Sequence, residues 1–169
     1  MSERDVLSEL SRRVWDERHV VTYLLFKLTV ARLLLAADEH RFVPDALAEV
    51  DRIVQLLRDG EAQRDQALRE LAGEWQVDPR TLTLTELARR SPPPFDHTFG
   101  EHRRAFERLA EEIDDVAQRN RELANAGFRQ IAETLDEMTG SDSPASPTYD
   151  ASGQLDPSRH VGHRLREVL

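Results

Sequence analysis

The sequence predicts an all-α fold: an elongated antiparallel three-helix bundle of long, coiled-coil-like helices, followed by a disordered C-terminal tail. Three observations carry this expectation. Residues 95–138 hold one long periodic stripe; two earlier stretches repeat the same period; and periodicity is lost after Gly140, in the Ser/Pro/Asp-rich residues 141–147. The composition agrees, with 33% charged residues, 6% aromatics and periodic Leu, Ala, Glu and Arg, a mixture typical of long helices. A chain of 169 residues is long enough for one domain with a real core.

The long stripe organises the prediction. Alternating steps of three and four from Phe99 reach His102, Phe106, Leu109, Ile113, Val116, Asn120 and Leu123, a repeat close to that of a coiled coil. It then drifts to Phe128, Ile131, Leu135 and Met138 at the ordinary helix period. Such a helix would run about 65 Å, too long for the middle of a compact globule, so its far end is expected to project.

The first helix is expected over residues 2–38. Leu7, Leu10, Val14, Val21, Leu24, Leu28, Ala31 and Leu35 follow the heptad, and Val6, Val20, Tyr23, Leu25 and Leu34 widen it, so that this helix should touch two neighbours. Glu17 falls on the seam. It is either a boundary position that meets water or a buried partner for an arginine on another helix, which would set register at some cost in stability. Residues 20–37 are apolar enough to raise the question of a membrane span. Lys27, the only lysine, and Arg32 lie inside that window, and each would cost about 2.5–3.5 kcal/mol at a bilayer centre; a buried bundle helix is the better reading, without stable membrane insertion.

A short turn at residues 40–43 precedes Pro44 and Asp45, residue types suited to the first turn of a helix. This second helix should reach Trp75 and run antiparallel to the first. Leu47, Val50, Val54, Leu57, Leu68, Leu71 and Trp75 keep the heptad; Glu61 and Arg64 interrupt it near Gly60, weakening its middle. Asp78-Pro79 is a breaker. Thr83-Leu84-Thr85-Glu86 has the form of a capping box, placing a short helix at residues 85–89, and Ser91-Pro92-Pro93-Pro94 launches the long helix. Gly140 is a candidate C-cap. The domain expectation is thus a helical bundle at 1–140 and a flexible tail at 141–169. The Ser/Pro/Asp-rich start of the tail suits disorder, and residues 160–169 form a short amphipathic segment that is too short to be a stable helix alone.

Little in the chain points to chemistry. With no cysteine there is no disulfide, thiolate nucleophile or Cys metal site. Phosphate loops and nucleophile elbows are missing, and no histidine follows a glutamate by three residues, as a di-iron bundle requires. His160 and His163 have metal-like spacing but lack carboxylate support; His102 reads as a packing residue at the boundary of the seam. No catalytic residue, cofactor or metal is expected, and the chain reads as a non-enzyme. A net charge of −9 argues against a nucleic-acid surface. Asn120, on the core seam, reads as a register pin or as a contact to a partner.

Several stretches resemble the FlgN-type flagellar export chaperones, in particular their actinobacterial branch. They are Val14-Trp15-Asp16-Glu17-Arg18, followed by Tyr23-Leu24-Leu25-Phe26-Lys27-Leu28 and Leu33-Leu34-Leu35-Ala36-Ala37; Asn120-Arg121-Glu122-Leu123; and Thr148-Tyr149-Asp150-Ala151-Ser152-Gly153. Order and spacing match over nearly the whole chain, although Ser152 stands where that family often has arginine. The resemblance implies a cytoplasmic, non-enzymatic chaperone that binds the hook–filament junction proteins FlgK and FlgL and delivers them to the flagellar type III export apparatus, with the C-terminal part associated with binding.

The residues agree in kind. The apolar end of the long helix and the tail suggest Phe128, Ile131, Leu135, Met138, Tyr149, Val161 and Leu165 as partner-binding residues, because an amphipathic partner helix can lie against such a stripe. The opposing reading is that the four helical residues complete the internal core and that Tyr149 is an exposed linker aromatic. The rival for the whole chain is a self-associating structural coiled coil with no flagellar role. A metal-bearing bundle enzyme and a DNA-binding regulator follow it.

Overall fold

The computed structural model describes residues 2–139, with side chains as far as Thr134. The chain is all-helical through this range, in four α-helices: α1 Glu3–Ala36, α2 Val43–Trp75, α3 Leu84–Arg90 and α4 Phe95–Thr139. Single 3-10 turns, His40–Phe42 and Pro79–Thr81, lead into α2 and α3 respectively. The helix ends follow local chemistry. Ser2 caps α1 in a reciprocal box with Asp5, satisfying backbone donors that otherwise lack partners. Pro44 lies in the first turn of α2, where its missing N–H costs nothing. Thr83 caps α3 by accepting from the Glu86 backbone N–H. α1 ends two residues earlier than the pattern predicts because Asp38 takes a left-handed conformation, φ 60°, a region that Asp tolerates better than most residues.

α1 and α2 run antiparallel. Three contacts fix this along their length: Trp75 Nε1 donates to Glu3 Oε1 at 2.7 Å, Arg64 pairs with Glu17, and Lys27 pairs with Glu49. α4 runs alongside α1 in the same direction as α1, with Asn120 Nδ2 donating to the Leu28 carbonyl at 3.0 Å, and α3 rests on α4. The core joins Leu7, Leu10, Leu24 and Leu28 of α1, Val50, Leu57 and Leu71 of α2, Leu84 and Leu87 of α3, and Phe99, Phe106 and Ile113 of α4.

The helix that makes the main contacts of both α2 and α4 is α1. The organising role expected of the long helix therefore falls to the first one, whose widened stripe serves two neighbours. The packing bears on the membrane question raised by its composition. α1 is long and apolar enough to cross a bilayer, but Val21, Leu24, Leu28 and Ala31 are buried in the core, and Lys27 is ion-paired across to α2.

Arg64, His102 and Leu47 depart from expectation, and Glu17 takes the buried one of the two readings open to it. Glu17 is not at a watery boundary: it is 2% exposed and held by Arg64. Arg64, which breaks the apolar pattern of α2, is buried too, and α2 continues through it without a break. His102 is 3% exposed, inside the bundle rather than at its edge. Leu47, assigned by its heptad to the α2 core, is 48% exposed, close after the α1–α2 turn.

Candidate functional site

α4 is the longest helix, and its C-terminal part outlasts its support. Gly127 lies beside the α1–α2 turn: a Cβ built there would stand 3.4 Å from the His40 ring. Beyond that point, from Phe128 to Thr134, every side chain is exposed. The remaining residues to Thr139 add about 18 Å of helix past Gly127 at 1.5 Å per residue. Phe128 is 72% exposed and Ile131 52%, so neither completes the internal core. An aromatic ring left this far in water is an apolar surface without a partner.

Phe128 forms one wall of a groove. Leu35 of α1, His40, Val43, Pro44 and Leu47 around the turn, and Ala124 and Gly127 of α4 complete it, enclosing about 280 Å³ of almost wholly apolar character. A second hollow shares His40 and Gly127 and continues along α4 past Gln130, Ile131 and Thr134, with Asp38 on its rim. Joined at His40 and Gly127, the two make one trough, apolar at the α1–α2 turn and mixed in character toward the free end of α4. Asp38 accepts from His40 Nε2 at 2.7 Å, and Arg41 is matched by Glu39 at 3.2 Å. The trough therefore sets the Asp38–His40 pair beside a bed of apolar side chains, an arrangement suited to an amphipathic helix.

Of the residues that the sequence singles out for binding, Phe128 and Ile131 stand on this trough. The side chains of Leu135 and Met138 lie outside the described residues, as do Tyr149, Val161, Leu165, the Gly140 cap, the histidine pair at 160 and 163, and the whole tail. The periodicity does not pick out Leu35, Val43, Pro44, Leu47, Ala124 or Gly127 as a site. The signal that was available is positional: Pro44 and Leu47 follow a turn, and Gly127 offers a close approach between helices.

A second apolar surface faces outward on α1. Trp15, Tyr23, Phe26 and Leu33 are each about half exposed and fall on one side of the helix. Trp15 packs on His19 with ring centroids 3.7 Å apart, and Tyr23 stacks on Phe26 at 5.9 Å. The Lys27 ammonium sits 5.2 Å from the Tyr23 ring centroid. Its hydrogen bond to Glu49 holds its pKa above the usual lysine value, and Glu49 is lowered in turn.

The buried polar groups inside the bundle are structural in placement. Burial pushes the Glu17 carboxyl up to about 7, against the attraction of Arg64 and with help from Glu61. Burial, then the positive charge of Arg18, lowers His102 to about 4, so the ring is neutral. Its Nδ1 has no hydrogen-bond partner. No opening of the trough or of the second hollow reaches Glu17 or His102. Among the described residues no group of three or more His, Cys, Asp or Glu is arranged to hold a metal ion.

No curated protein and no solved structure matched the sequence. The family model described as FlgN protein matches residues 1–157, spanning all four helices and much of the chain beyond them. With an all-helical body, an unpartnered apolar helix end and a family match over most of its length, the chain belongs to the FlgN family of flagellar export chaperones.

Proposed function

We propose that this protein acts in the cytoplasm as the export chaperone of the hook–filament junction proteins FlgK and FlgL, keeping them soluble and delivering them to the flagellar type III export apparatus. The observation that carries this reading is the trough along the end of α4. A client helix laid there would cover Phe128 and Ile131 and bury its own apolar face against Leu35, Val43 and Leu47. The mechanism is holding rather than catalysis. Residues 1–140 act as the elongated antiparallel bundle that presents the trough, and residues 141–169 act as a flexible arm that closes over the client. Leu135, Met138, Tyr149, Val161 and Leu165 would then extend the contact beyond Phe128 and Ile131.

The self-associating coiled coil is the weaker reading. The seam it would use, from Phe99 through Phe106 and Ile113 to Val116, is already buried within one chain, chiefly against α1 and α3.

The test is capture of FlgK and FlgL by the tagged full-length chain, compared with Phe128→Asp/Ile131→Asp and with Leu56→Asp, an exposed leucine on α2 outside the trough. Capture by the parent and the α2 variant, with at least a tenfold loss in the Phe128/Ile131 variant and unchanged melting curves, is the expected result. Equal capture by all three would remove the trough from the mechanism, and failure of the parent to bind either protein would remove these clients.

A further inference from the structure

The trough has a candidate occupant within the chain itself. Residues 160–169 carry Val161, Leu165, Val168 and Leu169, spaced so that a helix would place all four on one side. Arg164 and Arg166 stand among them against a single acid, Glu167, and Arg159 immediately precedes the segment. The whole chain, in contrast, has a net charge of −9. Asp38, which lines the trough and pairs with His40, exposes 86% of its side chain. An amphipathic segment with a small positive excess and an apolar bed with Asp38 beside it are complementary. So short a helix is not stable alone in water; it needs a surface of this kind to form.

Chain length permits the contact. The described part of α4 ends about 18 Å past Gly127. The connection from 140 to 158, rich in Ser, Pro and Gly, has a root-mean-square reach of about 25 Å if it behaves as a coil. A tether whose reach matches the span gives an effective concentration in the millimolar range, enough for a weak contact to be well populated.

We propose that residues 160–169 occupy the trough between α4 and the α1–α2 turn when no client is bound, so that the tail is an intramolecular stand-in for the client helix. A client must displace it. This rests on the trough being the client site. The intramolecular contact itself is tested without any client, so the two readings fail separately.

Because the chain has no cysteine, a disulfide trap reports the contact without background. The experiment uses the full-length chain carrying Leu47→Cys with Leu165→Cys, at low protein concentration under mild oxidation, with intact mass as the readout. The control is Leu56→Cys with Leu165→Cys. Leu47 and Leu56 are about equally exposed on α2, nine residues and thus half a turn apart in direction, so only proximity to the tail should separate them. The expected result is an intramolecular bond forming at least tenfold faster in the Leu47 pair, with the advantage shrinking in high salt. Equal intramolecular rates in the two pairs would overturn the proposal. So would a bond that forms only between chains, which would assign the trough to the tail of a second copy.

Discussion

Glu17 and Arg64 form an ion pair sealed inside the bundle, one Arg64 nitrogen lying 2.6 and 2.8 Å from the two carboxylate oxygens. Each residue breaks the apolar pattern of its own helix, and the two breaks face each other across the α1–α2 interface. Such a pair contributes little net stability against well-packed apolar side chains, but removing one partner strands a buried charge. Glu17→Ala should therefore destabilise the fold by about 3–5 kcal/mol near neutral pH, while Glu17→Leu/Arg64→Met should be close to neutral. Denaturant melts of the two variants check this. A double variant as unstable as the single would show that the pair holds the helices in place rather than merely matching charges.

The same glutamate should leave a signature in pH. Its folded pKa of about 7 stands above the usual glutamate value of 4.5, so the folded state holds the proton more tightly than the unfolded chain. Its stabilising contribution is complete below about 4.5 and is lost as pH rises toward 7 and beyond. Relative to Glu17→Gln, the parent protein should lose stability across that window. Parallel stability curves for the two proteins between pH 4.5 and 8 would show that Arg64 outweighs burial and keeps the carboxylate charged throughout.

His102 should act in the opposite sense. Its folded value of about 4 lies below the usual histidine value of 6.5, so protonation favours the unfolded chain. Its contribution is present above about 6.5 and is lost as pH falls toward 4. His102→Leu removes both the titration and the unpartnered Nδ1; relative to this variant, the parent should lose stability as pH falls from 6.5 to 4. An unchanged acid limb in this variant would mean that other groups set it.

Much of the fold is legible in the sequence because it rests on periodicity. Leu7, Leu10, Leu24, Phe99, Phe106 and Ile113 are core residues by spacing alone and are buried. What periodicity does not contain is the register between helices. Glu17 read by itself fits a boundary as well as a buried pair, and Arg64 read by itself looks like a weak point. Only the antiparallel alignment of α1 on α2 brings them within 3 Å of each other. The trough is hidden for a related reason. Leu35 and Leu47 sit on heptad positions, and whether such a position is covered depends on where α4 passes the α1–α2 turn. Phe128 and Ile131 were visible as an apolar stripe, but their exposure depends on how far α4 outruns its neighbours, which is a property of three helix lengths taken together.

Gly60 offers a simple gain. It sits inside α2, and a Cβ built there meets nothing within 4 Å. Glycine in a helix interior costs about 0.5–1 kcal/mol relative to alanine through backbone freedom in the unfolded chain. Gly60→Ala should stabilise by about that amount and raise the melting temperature by a few degrees, leaving client capture unchanged. A fall in melting temperature would show that this part of α2 needs freedom that the folded geometry does not reveal.

Asn120 tests how α4 is held against α1. Its side-chain N–H group bonds to the Leu28 carbonyl at 3.0 Å, an oxygen lying inside α1 and therefore within the helix's own hydrogen-bond ladder. Its Oδ1 is buried with no partner. The amide thus gains one shared hydrogen bond and strands an acceptor, and leaving a buried polar atom unpaired costs about 1–3 kcal/mol. Asn120→Leu removes that acceptor, and Leu28 keeps its helical partner, so the substitution should raise the melting temperature. The gain in stability should come with a loss of uniqueness, since an apolar residue at this position no longer favours one alignment of α4 on α1. Hydrogen exchange along α4 reads the second effect: the variant should melt higher yet exchange faster near residues 113–124 if Asn120 pins register. A lower melting temperature would instead mean that the bond to Leu28 outweighs the stranded oxygen.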